Sequence, residues 1–208
     1  MIACVVALHL YFRGGSTANN TTTKFPEHDS AHPESSGGWV INRIHGYNSD
    51  SWKLVDWGNP VSPEEESMFT CEMVTFRSIM SGKEANMCVY ADDDGISRTI
   101  RPDKHLSHCD ILPTLWKDGD HDETDKSLYY VEIGANIGSC VMEMLLGTNA
   151  KIIAFEPHPM NVYNIKKTVS QLDKSYQDRL LLFPIGLGSE IITSTIYSAT
   201  GNMGNSSK

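Results

Sequence analysis

No apolar run in this 208-residue chain approaches the roughly 20 residues that a membrane-spanning helix needs. The longest, Met1 to Phe12, is interrupted by His9 and followed by Arg13. It suits the core of a signal peptide or the remnant of a signal anchor, although no basic segment precedes it and no small-x-small cleavage site is convincing. A start codon placed inside a longer anchor is the bland alternative. Two overlapping N-x-T sequons, Asn19-Asn20-Thr21-Thr22, lie just beyond and fit exposure to a lumen. Basic residues are also scarce. Seventeen Lys and Arg stand against 26 Asp and Glu, for a formal charge of −9, and they form no stripe. That argues against nucleic acid as a partner. CxxC spacing is absent from the five cysteines Cys4, Cys71, Cys88, Cys109 and Cys140. Internal repeats are absent too. Apolar residues make up 40% of the chain, which suits a globular core rather than a polytopic membrane protein.

The cysteines leave two readings open. Cys71 and Cys88 are either isolated thiols or a disulfide formed in an oxidising lumen. Cys140 reads as an isolated buried thiol, because it faces inward on a predicted helix.

Four segments follow from composition. Residues 1–13 are the apolar N-terminal segment. Residues 14–51, rich in Gly, Ser, Thr, Asn, His and Pro, read as a flexible stem. Residues 52–126 form an α/β extension. Within it, Ser62-Pro63-Glu64-Glu65-Glu66 is a strong helix start, and Met68, Met73, Val74 and Phe76 predict its continuation to about Met80. Met87 to Tyr90 and Ile96 to Ile100 read as short strands around an Asp92-Asp93-Asp94-Gly95 turn. The acidic triplet lacks calcium-ligand spacing and reads as solvated. His105 and His108 share a spacing that could hold a metal, but no second ligand pair follows, so an ordinary turn is the reading and no metal is expected. Ile111 to Trp116 suggests a short helix with Pro113 in its first turn. Lys117 to Lys126 reads as a charged loop.

Residues 127–208 carry the main signal. Strand 128–133, helix 138–147, strand 151–155, helix 159–173 and strand 179–184 alternate in units of about 30 residues. Such alternation predicts a parallel, doubly wound α/β sheet of Rossmann-like type. Val162, Ile165, Val169 and Leu172 make one helical stripe, read as packing on that sheet.

The first strand ends in Glu132, and a loop with Gly134 and Gly138 follows. The second strand ends at Glu156, 24 residues after the first acid. Glycines let the loop turn sharply and let a ligand approach the backbone. The helix starting at Gly138 offers free N–H groups to an anionic ligand group. Glu132 could receive an amino group, and Glu156 a ribose diol. A dinucleotide site wants G-x-G-x-x-G, whereas this loop reads G-A-N-I-G with an acid two residues before it. That acid would repel a pyrophosphate and would favour S-adenosylmethionine, which carries an ammonium and no phosphate. Taken singly, the acids could be solvated strand ends and the glycines plain turn residues; the combination points to a cofactor.

Three segments then carry a resemblance. Tyr130-Val131-Glu132-Ile133-Gly134-Ala135-Asn136-Ile137-Gly138, Ile153-Ala154-Phe155-Glu156-Pro157-His158-Pro159 and Pro184-Ile185-Gly186-Leu187-Gly188 closely resemble the FkbM-type S-adenosylmethionine-dependent methyltransferases. The resemblance covers residues 127 to 208, and Met87 to Lys104 also looks like the segment preceding this domain in some lumenal members. It implies a class I methyltransferase fold, incomplete at the C-terminus. It implies cofactor contacts from Glu132, Gly134, Ala135, Asn136, Gly138 and Glu156. It also implies a small-molecule or glycan acceptor, commonly a hydroxyl. Family members continue past a segment like Asn202-Met203-Gly204-Asn205-Ser206 into an acid-rich strand beside the first one. Without that strand the first strand keeps an unpaired apolar edge unless the 85–100 region or another chain covers it, and no catalytic base can be named. A truncated product is the reading that follows. Two rivals remain: a non-catalytic cofactor-binding or interaction module, and a dinucleotide-dependent oxidoreductase. The setting expected is the secretory lumen or a membrane anchored through residues 1–12, with the cytoplasm as the alternative.

Overall fold

A computed structural model describes residues 39–40, 54–91, 95–118, 129–188, 195–199 and 202–207 of the chain. The apolar N-terminus, nearly all of the stem with its sequons, the Asp92–Asp94 triplet and most of the 117–126 loop lie outside the described residues.

In chain order the elements are β1 (Trp39–Val40), α1 (Pro63–Met68), β2 (Glu72–Arg77), β3 (Glu84–Val89), α2 (Gly95–Asp103), a short 3-10 turn (Ser107–Cys109), α3 (Leu112–Asp118), β4 (Tyr129–Ile133), α4 (Ser139–Gly147), β5 (Lys151–Phe155), α5 (Pro159–Val169), α6 (Lys174–Gln177), β6 (Leu180–Phe183), β7 (Thr195–Ala199) and β8 (Asn202–Ser207). They form three small sheets. β4, β5 and β6 are parallel and adjacent in that order, β2 and β3 make an antiparallel hairpin, and β1, β7 and β8 form the third sheet. The chain is thus mixed α/β with a three-stranded parallel sheet, compatible with a Rossmann-like fold.

That sheet has one buried face. Tyr130, Glu132, Ile152, Ala154, Leu180 and Leu182 alternate inward and are all buried. The strands step in one direction, and the right-handed rule for such crossovers puts α4 and α5 on the same face. Their Val141, Leu145, Ile165 and Val169 join the strand residues in one apolar cluster. The opposite face, with Val131, Ile133, Ile153 and Phe155, is half-buried. At the outer edge, Val55 N–H donates to the Leu182 carbonyl at 3.2 Å and Trp57 Nε1 to the Leu180 carbonyl at 2.9 Å, so residues 55–57 cover β6. Among the described residues β4 pairs with β5 alone. The 85–100 region does not extend the parallel sheet; its strand β3 pairs with β2 instead.

Several expected elements differ. The helix from Ser62 stops at Met68 rather than near Met80. Its start has the expected form: Ser62 Oγ accepts from Glu65 N–H at 3.2 Å while Glu65 Oε2 accepts from Ser62 N–H at 2.8 Å. Beyond it, Glu72–Arg77 is a strand, because Phe76 can alternate into the core there while Arg77 stays outside. The expected strand Ile96–Ile100 is a helix. A strand would turn Arg98 inward with Ile96 and Ile100, whereas the helix buries Ser97 and Ile100 and leaves Arg98 exposed. The helix from Pro159 ends at Val169, and a turn separates it from α6.

The thiol assigned to Cys140 is also corrected. Cys140 is half-buried and forms a disulfide with Cys109, their Cα atoms 5.3 Å apart. Nothing in the sequence spacing signals this, since the 3-10 turn reaches the start of α4 across 31 residues. Cys71 and Cys88 form the second disulfide, with a Cα separation of 5.6 Å.

The hairpin is built into the α/β unit. Glu143 on α4 is buried and accepts from Ser78 Oγ, Ile79 N–H and Met80 N–H at 2.8, 3.1 and 2.9 Å. On α5, Lys166 donates to Glu65 at 2.6 Å, and Lys167 donates to Glu66. The Lys166 ammonium and the Ser62 N–H hold the Glu65 carboxyl below its ordinary pKa despite partial burial.

Candidate functional site

The six candidate residues meet where β4 and β5 end. After Ile133 the chain must turn from a strand into α4 within a few residues. Gly134, Asn136 and Gly138 do this with φ of 80°, 52° and 90°. The two glycines tolerate that region without a Cβ penalty. Asn136 tolerates it because its own Oδ1 accepts from Ile137 N–H at 2.7 Å. Gly138 has a second reason: a Cβ there would lie 2.8 Å from Ile165 Cγ1, so α4 and α5 approach too closely for a side chain. At Gly134 the surroundings are the reverse. It is exposed, and among the described residues no atom beyond its chain neighbours lies within 4 Å of where its Cβ would stand.

The loop is tied down on the side of β5. Gly134 and Ala135 N–H groups both donate to the Phe155 carbonyl, at 2.9 and 3.0 Å. Ala135 itself is buried. One residue further on, Glu156 Oε2 accepts from Asn136 N–H at 2.7 Å. Glu156 Oε1 accepts from His158 N–H at 2.8 Å and from Asn161 Nδ2 at 3.3 Å. An ionised carboxylate offers about four acceptor positions. Three are therefore used inside the protein, and the one left is on Oε2. Burial pushes the Glu156 carboxyl above its ordinary pKa, while these three donors act against the rise. Burial also lowers the pKa of His158.

Glu132 is in a different state. It is 8% exposed, and its Oε2 is buried with no hydrogen-bond partner among the described residues. Desolvation raises its pKa to about 8; the Tyr130 hydroxyl opposes the rise and the Glu156 charge adds to it. A buried carboxyl without a counter-charge prefers to be neutral, and a cation delivered to it would reverse that preference.

Ser139, in the first turn of α4, also has a buried hydroxyl without a partner among the described residues. Gly138 at the N-cap contributes no side-chain hydrogen bond, which leaves the first amides of α4 for other acceptors. The site thus pairs a buried acid that lacks a counter-charge with an uncapped helix start across a bare glycine. Such a pair matches a ligand that carries both an ammonium and a carboxylate.

Tyr90, Tyr130, His158 and Asn161 were not anticipated here. Asn161 could have been suspected from its place, a polar residue in the first turn of the helix that follows Glu156. Tyr90 gave no signal, since only the fold brings the end of β3 to α5. Among the described residues no cluster of His, Cys, Asp or Glu could hold a metal, and no helix is long and apolar enough to cross a membrane. In comparison, no family model, no curated protein and no solved structure matches the chain.

Proposed function

We propose that the chain is an S-adenosylmethionine-dependent methyltransferase of FkbM type, built on a Rossmann-like sheet of the class I methyltransferase kind. The observation that carries this reading is the buried oxygen of Glu132, without a partner among the described residues, near the open space over Gly134. A dinucleotide would bring a pyrophosphate towards this acid, which offers it no counter-charge and would repel it once ionised. S-adenosylmethionine would bring an ammonium, for which Glu132 is the counter-charge.

When bound, that cofactor supplies a methyl group already activated on a sulfonium. The residues of the chain then have simple tasks. Glu132 holds the amino end, the first turn of α4 holds the carboxylate, and the remaining acceptor of Glu156 holds the ribose. Gly134 leaves room for the ligand to lie against the backbone. Together they would fix the reacting end and keep water from it, which is most of what such a displacement needs. The acceptor is a small molecule or a glycan, a reading that rests on the family resemblance. The disulfides Cys71–Cys88 and Cys109–Cys140 favour an oxidising compartment, in keeping with a secretory lumen.

Calorimetric titration tests the reading. S-adenosylhomocysteine should bind, and NADH should not. Binding of NADH in preference would overturn the assignment in favour of a dinucleotide enzyme.

A further inference from the structure

Asn161 lies between the Glu156 carboxylate and the Tyr90 hydroxyl, and its amide bonds to both. Towards Glu156, an ionised carboxylate can only accept, so Asn161 must present its Nδ2, which donates at 3.3 Å. Its Oδ1 is thereby turned to Tyr90, whose hydroxyl donates at 2.5 Å. Asn161 is 2% exposed and Tyr90 fully buried, so bulk water is not at hand to replace either bond. The two ends of an amide are nearly identical in shape. Turned over, Asn161 would set its carbonyl oxygen against the carboxylate. The carboxylate itself disfavours that orientation, and the Tyr90 hydroxyl, donating to Oδ1, anchors the amide in the one that remains.

Tyr90 is itself held. Its N–H donates to Ser97 Oγ at 3.0 Å, and its carbonyl accepts from Arg101 Nη2 at 2.5 Å, both on α2. A chain of fixed contacts therefore runs from α2 through the end of β3 and Asn161 to Glu156, and on to the Asn136 amide of the glycine loop. The hairpin extension thus supports the candidate ligand site directly.

We propose that Tyr90 is a positioning residue: acting through Asn161, it holds the Glu156 carboxylate so that the remaining acceptor of Oε2 faces the ribose diol of the bound nucleoside. This rests on the methyltransferase reading above.

The test uses the full chain, calorimetry and two ligands: S-adenosylhomocysteine and its 2′,3′-dideoxy analogue, which lacks the diol. Tyr90→Phe should weaken S-adenosylhomocysteine by about tenfold, the worth of one modest charge-assisted hydrogen bond, and leave the analogue's affinity unchanged. Asn161→Leu, similar in shape but without polar atoms, should do the same. The double variant should bind no worse than Asn161→Leu alone, since Tyr90 acts through that amide. A merely structural role would weaken both ligands alike. Equal loss for both ligands, or Tyr90→Phe binding within about twofold of the parent, would overturn the proposal. Failure of the parent chain to bind S-adenosylhomocysteine would instead overturn the methyltransferase reading on which it stands.

Discussion

Ser78 and Glu143 are buried partners 65 residues apart: the serine hydroxyl donates to the helix carboxylate at 2.8 Å. The same carboxylate accepts the Ile79 and Met80 amides, and so closes the turn of the β2–β3 hairpin onto α4. Replacing Glu143 by alanine would strand the buried Ser78 hydroxyl and take the acceptor from two partly buried amides. We expect Glu143→Ala to lose about 2–4 kcal/mol of stability in urea denaturation. A loss below about 1 kcal/mol would mean that the hairpin is not held by this carboxylate.

The two loop glycines should respond differently to the same change. Gly138→Ala combines a positive φ with a Cβ 2.8 Å from Ile165, and should cost about 2–4 kcal/mol. Gly134→Ala meets only the φ penalty, about 1 kcal/mol, because the space beside it is open. Its side chain would project where the ligand is proposed to lie, so it should fold and bind S-adenosylhomocysteine poorly. Thermal melts and titrations of both variants distinguish the two effects.

Glu132 predicts a pH dependence with a definite sign. In the folded chain it keeps its proton up to about pH 8, against an ordinary value of 4.5. Between those values unfolding releases a proton. Stability from this group is therefore complete at low pH, falls as pH rises through that window, and levels off above about 8. The steepest contribution approaches about 1.4 kcal/mol per pH unit. Glu132→Gln should remove that slope from the ligand-free protein. A slope unchanged by the substitution would show that Glu132 is ionised in the fold.

The disulfide between Cys109 and Cys140 closes 31 residues and fixes the 3-10 turn to the first turn of α4. The chain-entropy estimate for a loop of this size is about 3–4 kcal/mol. The double substitution Cys109→Ala/Cys140→Ala should lower stability by that order, and peptide mapping without reductant should recover the cross-link. Free thiols at both positions after oxidative expression would contradict the pairing.

The parallel unit was legible because local signals agreed there. Glu132, Gly134, Gly138 and Glu156 stand at strand and helix ends that apolar runs and glycines mark in the sequence. The extension was harder to read. A strong capping box at Ser62 announces a helix, but no Gly or Pro after Met68 marks where it stops, and strand formation at Glu72–Arg77 depends on pairing with β3. The strand expected over Ile96–Ile100 does not form: its β-branched residues favour strands locally, while burial of Ile100 and exposure of Arg98 are decided by tertiary packing. The supporting contacts of the site, from Tyr90 through Asn161 to Glu156, join residues up to 71 positions apart, and spacing in the sequence carries no trace of them.

Proton release on ligand binding tests the central claim most directly. At pH 7 the ligand-free Glu132 is largely protonated, and an arriving ammonium should ionise it. S-adenosylhomocysteine titrated in two buffers of different ionisation enthalpy should therefore show release of up to about one proton, and Glu132→Gln should lose both that release and affinity. Binding that is independent of buffer and unchanged by Glu132→Gln would contradict the assignment of this acid as the counter-charge of a cationic nucleoside.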